Sequence, residues 1–210
     1  MGYIKTEGYD FTTKKEMLKK LQAYTTNPDD DTIRIKEKIK EMFMHCPELL
    51  YALHSKELES ELFNKDGTLN EDGEWDRYFG DNSLIRPFLF IPQTQSEVNN
   101  YLCYQVSFTE TPRYNNTEKM CLITFTILVN GKDRIDNSTG IPRHDLIASI
   151  VRELMAWSGI AMSSAVPVED RESITDNDFL VRTLVYQAQI PNSIVTTKGG
   201  LTYYSNKGKP

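Results

Sequence analysis

Apolar and polar positions alternate with a period of two from Met120 to Val129. Cys121, Ile123, Phe125, Ile127 and Val129 share one face, while Thr124 and Thr126 share the other with Met120, Leu122 and Leu128. The pattern predicts a strand covered on at least one side. Leu102, Tyr104, Val106 and Phe108 alternate likewise with Cys103, Gln105 and Ser107, and a polar turn around Pro112 to Glu118 joins the two runs into an expected hairpin. In a third run, Asp178 to Ile190, Leu180, Leu184, Tyr186, Ala188 and Ile190 oppose Phe179, Val181, Thr183 and Val185. Neither of its faces is wholly polar, which predicts cover on both sides or a neighbouring subunit. Pro87 and Pro92 bracket a short apolar stretch, Phe88 to Ile91, expected as an edge strand.

Elsewhere the period lengthens. Leu146, Ile147, Ile150, Val151, Leu154 and Met155 recur at helical spacing between Pro142, suited to a first turn, and Gly159, suited to the left-handed position past the end. A helix over Pro142 to Ser158, about 25 Å long, is the expectation. Its Arg143, Asp145, Ser149, Arg152 and Glu153 are assigned to water or a partner. Before it, Asn130-Gly131 is expected to supply the positive backbone angles of a sharp reversal. The first third of the chain is helical. Thr13 and Glu16 form a capping-box pattern ahead of Met17, Leu18 and Leu21, and Asn27-Pro28 ends that helix. Asp31 or Thr32 caps a second helix carrying Ile35, Ile39, Met42 and Phe43, which Pro47 restarts or kinks before Leu49, Leu50 and Leu53. Asn64 to Asn82, rich in Gly, Asp, Glu and Asn, is expected to be a loop or flexible joint. Three regions follow: 1–82, a helical extension with a polar loop; 83–190, an α+β core domain; and 191–210, a C-terminal arm. The fold class expected is α+β, an antiparallel or mixed sheet carrying the packed helix.

Composition narrows the function classes. A chain of 210 residues, 39% of them hydrophobic, buries roughly 70% of its unfolded surface. With 30 acids against 24 Lys and Arg, the net charge of -6 disfavours a protein that coats nucleic acid, for which a dense basic face is needed. Cys46, Cys103 and Cys121 lack metal spacing and are expected to be buried free thiols. No apolar run is long enough to span a membrane and the start is not a secretory signal, so a soluble, intracellular protein is expected.

Chemical motifs are few, and each has a bland alternative. No register of Asn64 to Trp75 puts glycine at position six and glutamate at twelve of a calcium loop. His45 and His54 fall on nearly opposite sides of one helix, which disfavours a metal site with Cys46. His144-Asp145, with Ser149 beyond, is half of a catalytic set at most. Neighbours on a helix do not face each other, and an aspartate in a first turn suits the helix dipole. The glycine-rich phosphate loops, G-x-S-x-G and C-x-x-C are absent from the sequence. No Asp or Glu is followed two residues later by Lys, which disfavours a nuclease built on that pair, although Glu169-Asp170-Arg171-Glu172 keeps a carboxylate-based option open. No catalytic residue, cofactor or metal ligand is assigned.

The run Ile123 to Ile127 into Asn130-Gly131, the segment Gly140-Ile141-Pro142-Arg143-His144-Asp145-Leu146, the helix and the strand Asp178 to Tyr186 form an order of elements. Over roughly Leu84 to Ile190 that order resembles tailed-bacteriophage tail-terminator and neck proteins. The resemblance implies an α+β subunit in a homo-oligomeric ring at the head–tail junction of the virion, assembled in the bacterial cytoplasm. Its implied partners are the connector or portal-side proteins and the tail tube, with DNA only as passing cargo and no membrane. The helical first eighty residues and the lysine-bearing tail depart from the compact family pattern. Arg134, Ile141, Arg143, Arg152, Lys198, Tyr203 and Tyr204 are the candidate interface residues. Two alternatives are a small enzyme, nuclease or hydrolase, using dispersed carboxylates, and a monomeric binding module.

Overall fold

The computed structural model describes residues 13–23, 31–90, 92, 98–109, 118–156, 158–160, 165–175, 178–191, 194–196 and 202–204. Helix α1 (Lys14–Ala23) starts in the expected capping box: the Glu16 amide donates to Thr13 Oγ1 at 3.2 Å, and the Thr13 amide donates to Glu16 Oε2 at 3.1 Å. Helix α2 (Asp31–Met44) follows, and Pro47 opens α3 (Pro47–Ala52). His54, with φ of 54°, breaks the run, and a separate short α4 (Glu59–Leu62) follows, with Leu58 at its N-cap.

The sheet runs β1-β2-β3-β5-β4, made of β1 (Ile85–Arg86), β2 (Tyr101–Phe108), β3 (Glu118–Asn130), β4 (Val166–Ile174) and β5 (Phe179–Pro191). Among the pairings of these five strands β1–β2 is parallel and the others antiparallel, so the sheet is mixed and the fold α+β. The β2–β3 hairpin forms as expected, with Tyr104 opposite Phe125. Helix α5 (Arg143–Ala156) lies between β3 and β4, and Gly159 beyond it has φ of 56°. A separate pair, β6 (Ile194–Thr196) and β7 (Thr202–Tyr204), ends the described chain.

One face of the sheet makes the core. Cys121, Ile123, Phe125, Ile127 and Val129 are fully buried, as the alternation requires. Phe43 of α2 meets Tyr104 edge-on with ring centroids 6.0 Å apart, and Phe125 meets Tyr186 at 6.0 Å. Helices α2 and α3 therefore build the same core as α5, and the expected boundary at residue 82 does not divide the packing. The Asn64 to Asn82 loop is likewise packed rather than a joint: Tyr78 is buried and its hydroxyl donates to the Leu58 carbonyl at 3.1 Å. The opposite face is covered at one end, where the Arg86 guanidinium lies 3.7 Å from the Phe90 ring centre and Phe90 packs edge-on against Tyr101. Phe88 to Phe90 is not the expected edge strand, because Ile85 and Arg86 take the place beside β2. The far end of that face, with Gln105, Ser107, Thr124, Val185 and Gln187, stays half-buried or exposed.

The reversal after β3 differs from expectation. Gly131 does not adopt a positive φ, and β3 pairs with β5 rather than with the next segment. Glycine serves close approach here: a Cβ on Gly131 would stand 2.3 Å from Asp178 Oδ2 and 2.6 Å from the Asp178 carbonyl oxygen, which accepts the Gly131 amide at 2.8 Å.

Candidate functional site

Two polar clusters and one groove concentrate the chemistry of the described residues. The first cluster centres on Arg143, which is 2% exposed. Its Nη1 donates to the Ala52 carbonyl at 3.0 Å, its Nε to the Asp133 carbonyl at 3.3 Å and its Nη2 to Asp133 Oδ1 at 3.2 Å. Asp133 Oδ2 also accepts Asn100 Nδ2 at 2.7 Å and lies 2.9 Å from His54 Nδ1. Asn100 is fully buried, gives its second amide hydrogen to the Leu53 carbonyl at 3.0 Å and accepts the Asn130 amide at 3.0 Å. The network caps the end of α3, holds the β3 terminus and anchors loop 131–142. Asp136 lies 3.3 Å from Arg143 Nη1. Its carboxyl is pulled down to about 2, first by the Ser138 hydroxyl, then by the Thr139 hydroxyl and amide and by the charge of Arg143. The expectation of Arg143 as an interface residue is thus corrected: the loop folds its guanidinium inward, onto the Ala52 carbonyl at the end of α3 and onto Asp133.

A second cluster joins α5 to the sheet. Arg182, on the core face of β5, donates through Nε and Nη2 to Asp170 of β4 at 2.8 and 3.0 Å, and through Nη1 to Glu172 at 3.0 Å and to Asp145 of α5. Arg152 of α5 donates to Asp170 as well. The Arg182 hydrogen bond, then that of Arg152, holds the Asp170 carboxyl below its ordinary value. His144 is buried, its Nε2 3.5 Å from Asp145 and 3.9 Å from Glu172, and its Nδ1 has no hydrogen-bond partner among the described residues. The expectation that His144 and Asp145 do not converge is corrected here, because β4, absent from the sequence reading, brings Glu172 over the start of α5.

The ligand atoms of His144, Asp145 and Glu172 lie within 4.8 Å of one another, close enough to hold a cation. Geometry argues otherwise: the Arg182 guanidinium already bonds both carboxylates, and a His ligand normally donates its second nitrogen to an acceptor, which Nδ1 lacks among the described residues. The cluster reads chemically as an ion-pair clasp, with its carboxylates directed at arginine rather than at a reactant.

A groove of about 530 Å³ opens between the end of α2, the start of α3 and α5, lined by Met42, Cys46, Ile150 and Leu154 with Glu48 and Glu153 at its rim. Cys46 is buried there, and burial pushes its thiol up to about 11. His45 and His54 do not meet: His45 Nδ1 lies 2.7 Å from the Glu41 carbonyl, whereas His54 joins Asp133. Of the other interface candidates, Ile141 is exposed, Arg134 is exposed with Nη2 2.8 Å from Asp178 Oδ1, and Arg152 is half-buried on Asp170. Tyr203 and Tyr204 sit in β7 opposite Val195 and Ile194, and Lys198 lies outside the described residues.

Fold and clusters together define an α+β protein whose ionisable groups, buried around Arg143 and more exposed around Arg182, bind one another across helices and sheet. A family model, YomW, matches residues 47–188, more than half of the chain, and the chain belongs to the YomW family. That family name is associated with phage genomes and suggests a phage-related protein. No match was found among curated proteins. Among the described residues no helix is long and apolar enough to cross a membrane.

Proposed function

We propose that this chain is a structural protein of a phage particle, a tail terminator or neck protein that forms a ring at the head–tail junction and joins the tail tube to the head connector. The observation that carries the reading is the outer edge of the sheet. All nine residues of β4 are exposed, and the strand is bonded only on its β5 side among the described residues. Such an edge offers a row of backbone donors and acceptors to another chain. Its charges are largely committed within the subunit: Asp170 and Glu172 to Arg182, and Glu169 to Arg171 at 3.1 Å. Val166, Val168 and Ile174 are left uncovered. The opposite edge is the two-residue β1, so the sheet has two unlike sides, and a head-to-tail contact between unlike surfaces closes a ring by rotation. Family membership supports the phage setting, and the net charge of -6 suits a channel that DNA passes without adhering.

Electron microscopy of the purified protein, alone and mixed with phage tails, tests the proposal. Closed rings, or rings formed on the tail end, are expected, and Val166→Lys with Ile174→Lys should abolish them in a folded subunit. A chain that stays monomeric under every condition, tails included, refutes the reading.

A further inference from the structure

We infer that the groove between α2, α3 and α5 receives helix α1 of a second copy of this chain, so that each subunit gives one arm and takes another. This deepens the ring reading and rests on it. Leu18 and Leu21 of α1 are 47% and 53% exposed, and Met17 beside them is half-buried. These three side chains form a single stripe at helical spacing. An amphipathic helix laid into an apolar groove through such anchors is a recurring recognition mode. The groove offers the matching floor, Met42, Ile150 and Leu154.

Charge selects the occupant. The rim carries Glu48 and Glu153, both exposed, whereas Lys14, Lys15 and Lys19 of α1 are exposed and Glu16 is turned back onto Thr13 in the capping box. A basic helix with an apolar stripe therefore meets an apolar floor with an acidic rim. Among the described residues none covers the two leucines fully, which leaves them available to a complementary surface on another molecule.

The test is a charge exchange on the full-length protein, read by sedimentation velocity and electron microscopy. One variant carries Lys14→Glu with Lys15→Glu, which also suits a helix N-terminus and so does not weaken α1. The other carries Glu48→Lys with Glu153→Lys. Each alone is expected to weaken self-association at least tenfold. An equimolar mixture is expected to recover assembly, because each acidic arm then meets a basic groove and each basic arm an acidic one. Thermal melts of both variants check folding. If the wild-type protein forms rings and neither variant changes them, the arm assignment is overturned while the ring reading stands. If both variants lose assembly but only the four substitutions combined in one chain restore it, the arm docks within its own subunit and the inference is overturned. Arm-dependent open chains or dimers uphold the inference and overturn the ring. A wild-type protein without self-association, alone or on tails, overturns both.

Discussion

Replacing Arg143 with methionine removes the cation at the centre of the interior network while keeping most of its volume. The hydrogen bonds to the Ala52 and Asp133 carbonyls are worth only about 1 kcal/mol each once exchange with water is counted. The greater loss is electrostatic. Asp133, 3.0 Å from Nε, and Asp136, 3.3 Å from Nη1, would remain nearly buried without their counter-charge. Breaking a buried pair from one side costs about 3–5 kcal/mol, and at roughly 2–4 °C per kcal/mol for a domain of this size the melting temperature should fall by about 6–20 °C. Urea unfolding and calorimetry of Arg143→Met measure the loss directly. Adding Asp133→Asn and Asp136→Asn should recover part of it, since the orphaned charges go with the arginine. A loss below about 1 kcal/mol, with no coupling in the cycle, would show that the network is solvated and the argument wrong.

Gly131→Ala should destabilise the protein by about 1–3 kcal/mol, because the added Cβ must push Asp178 away; an unchanged thermal melt would refute the close-approach argument. Asp136 titrates lower in the folded than in the unfolded chain, so the unfolded state binds the extra proton and stability falls with acidification. That contribution is complete above about pH 4, the unfolded value, and is lost as pH drops through about 2. Acid unfolding of Asp136→Asn should show a shallower pH dependence than the wild type, and identical curves would count against the shift. Arg182→Gln should release β4 from α5, speeding amide hydrogen exchange across Asp170 to Ile174 more than across β3; equal protection in both proteins would show that the clasp holds nothing.

The elements with strong periodicity were legible in the sequence. The alternation at Cys121 to Val129 located β3 and its buried face, the Pro142 and Gly159 punctuation located α5 to within two residues at each end, and Thr13 with Glu16 gave the observed capping box. Strand β4 was missed because an edge strand is wet on both faces: Glu169-Asp170-Arg171-Glu172 carries no apolar alternation, and only Val166, Val168 and Ile174 hinted at it. Losing β4 also hid the partner of Arg182 and the convergence on His144. Arg143 was assigned outward because helical phase says nothing about a loop that folds back over a helix start. Its partners Ala52, Asp133 and Asp136 come from another helix and from that loop, a long-range arrangement that local patterns do not encode. The separation of a helical extension from a core domain failed for a related reason. Composition changes at residue 64, yet Phe43 and Leu50 fill the same interior as Phe125 and Ile147.

The three buried cysteines give the molecule an internal clock. Thiol reagents attack the thiolate, and burial raises the Cys46 and Cys103 thiols, so labelling must wait for the surrounding structure to part. Cys46 sits where α2 meets α3, whereas Cys103 and Cys121 lie inside β2 and β3. Comparing their alkylation rates would time the lifting of the helices separately from the tearing of the sheet, with no foreign probe introduced.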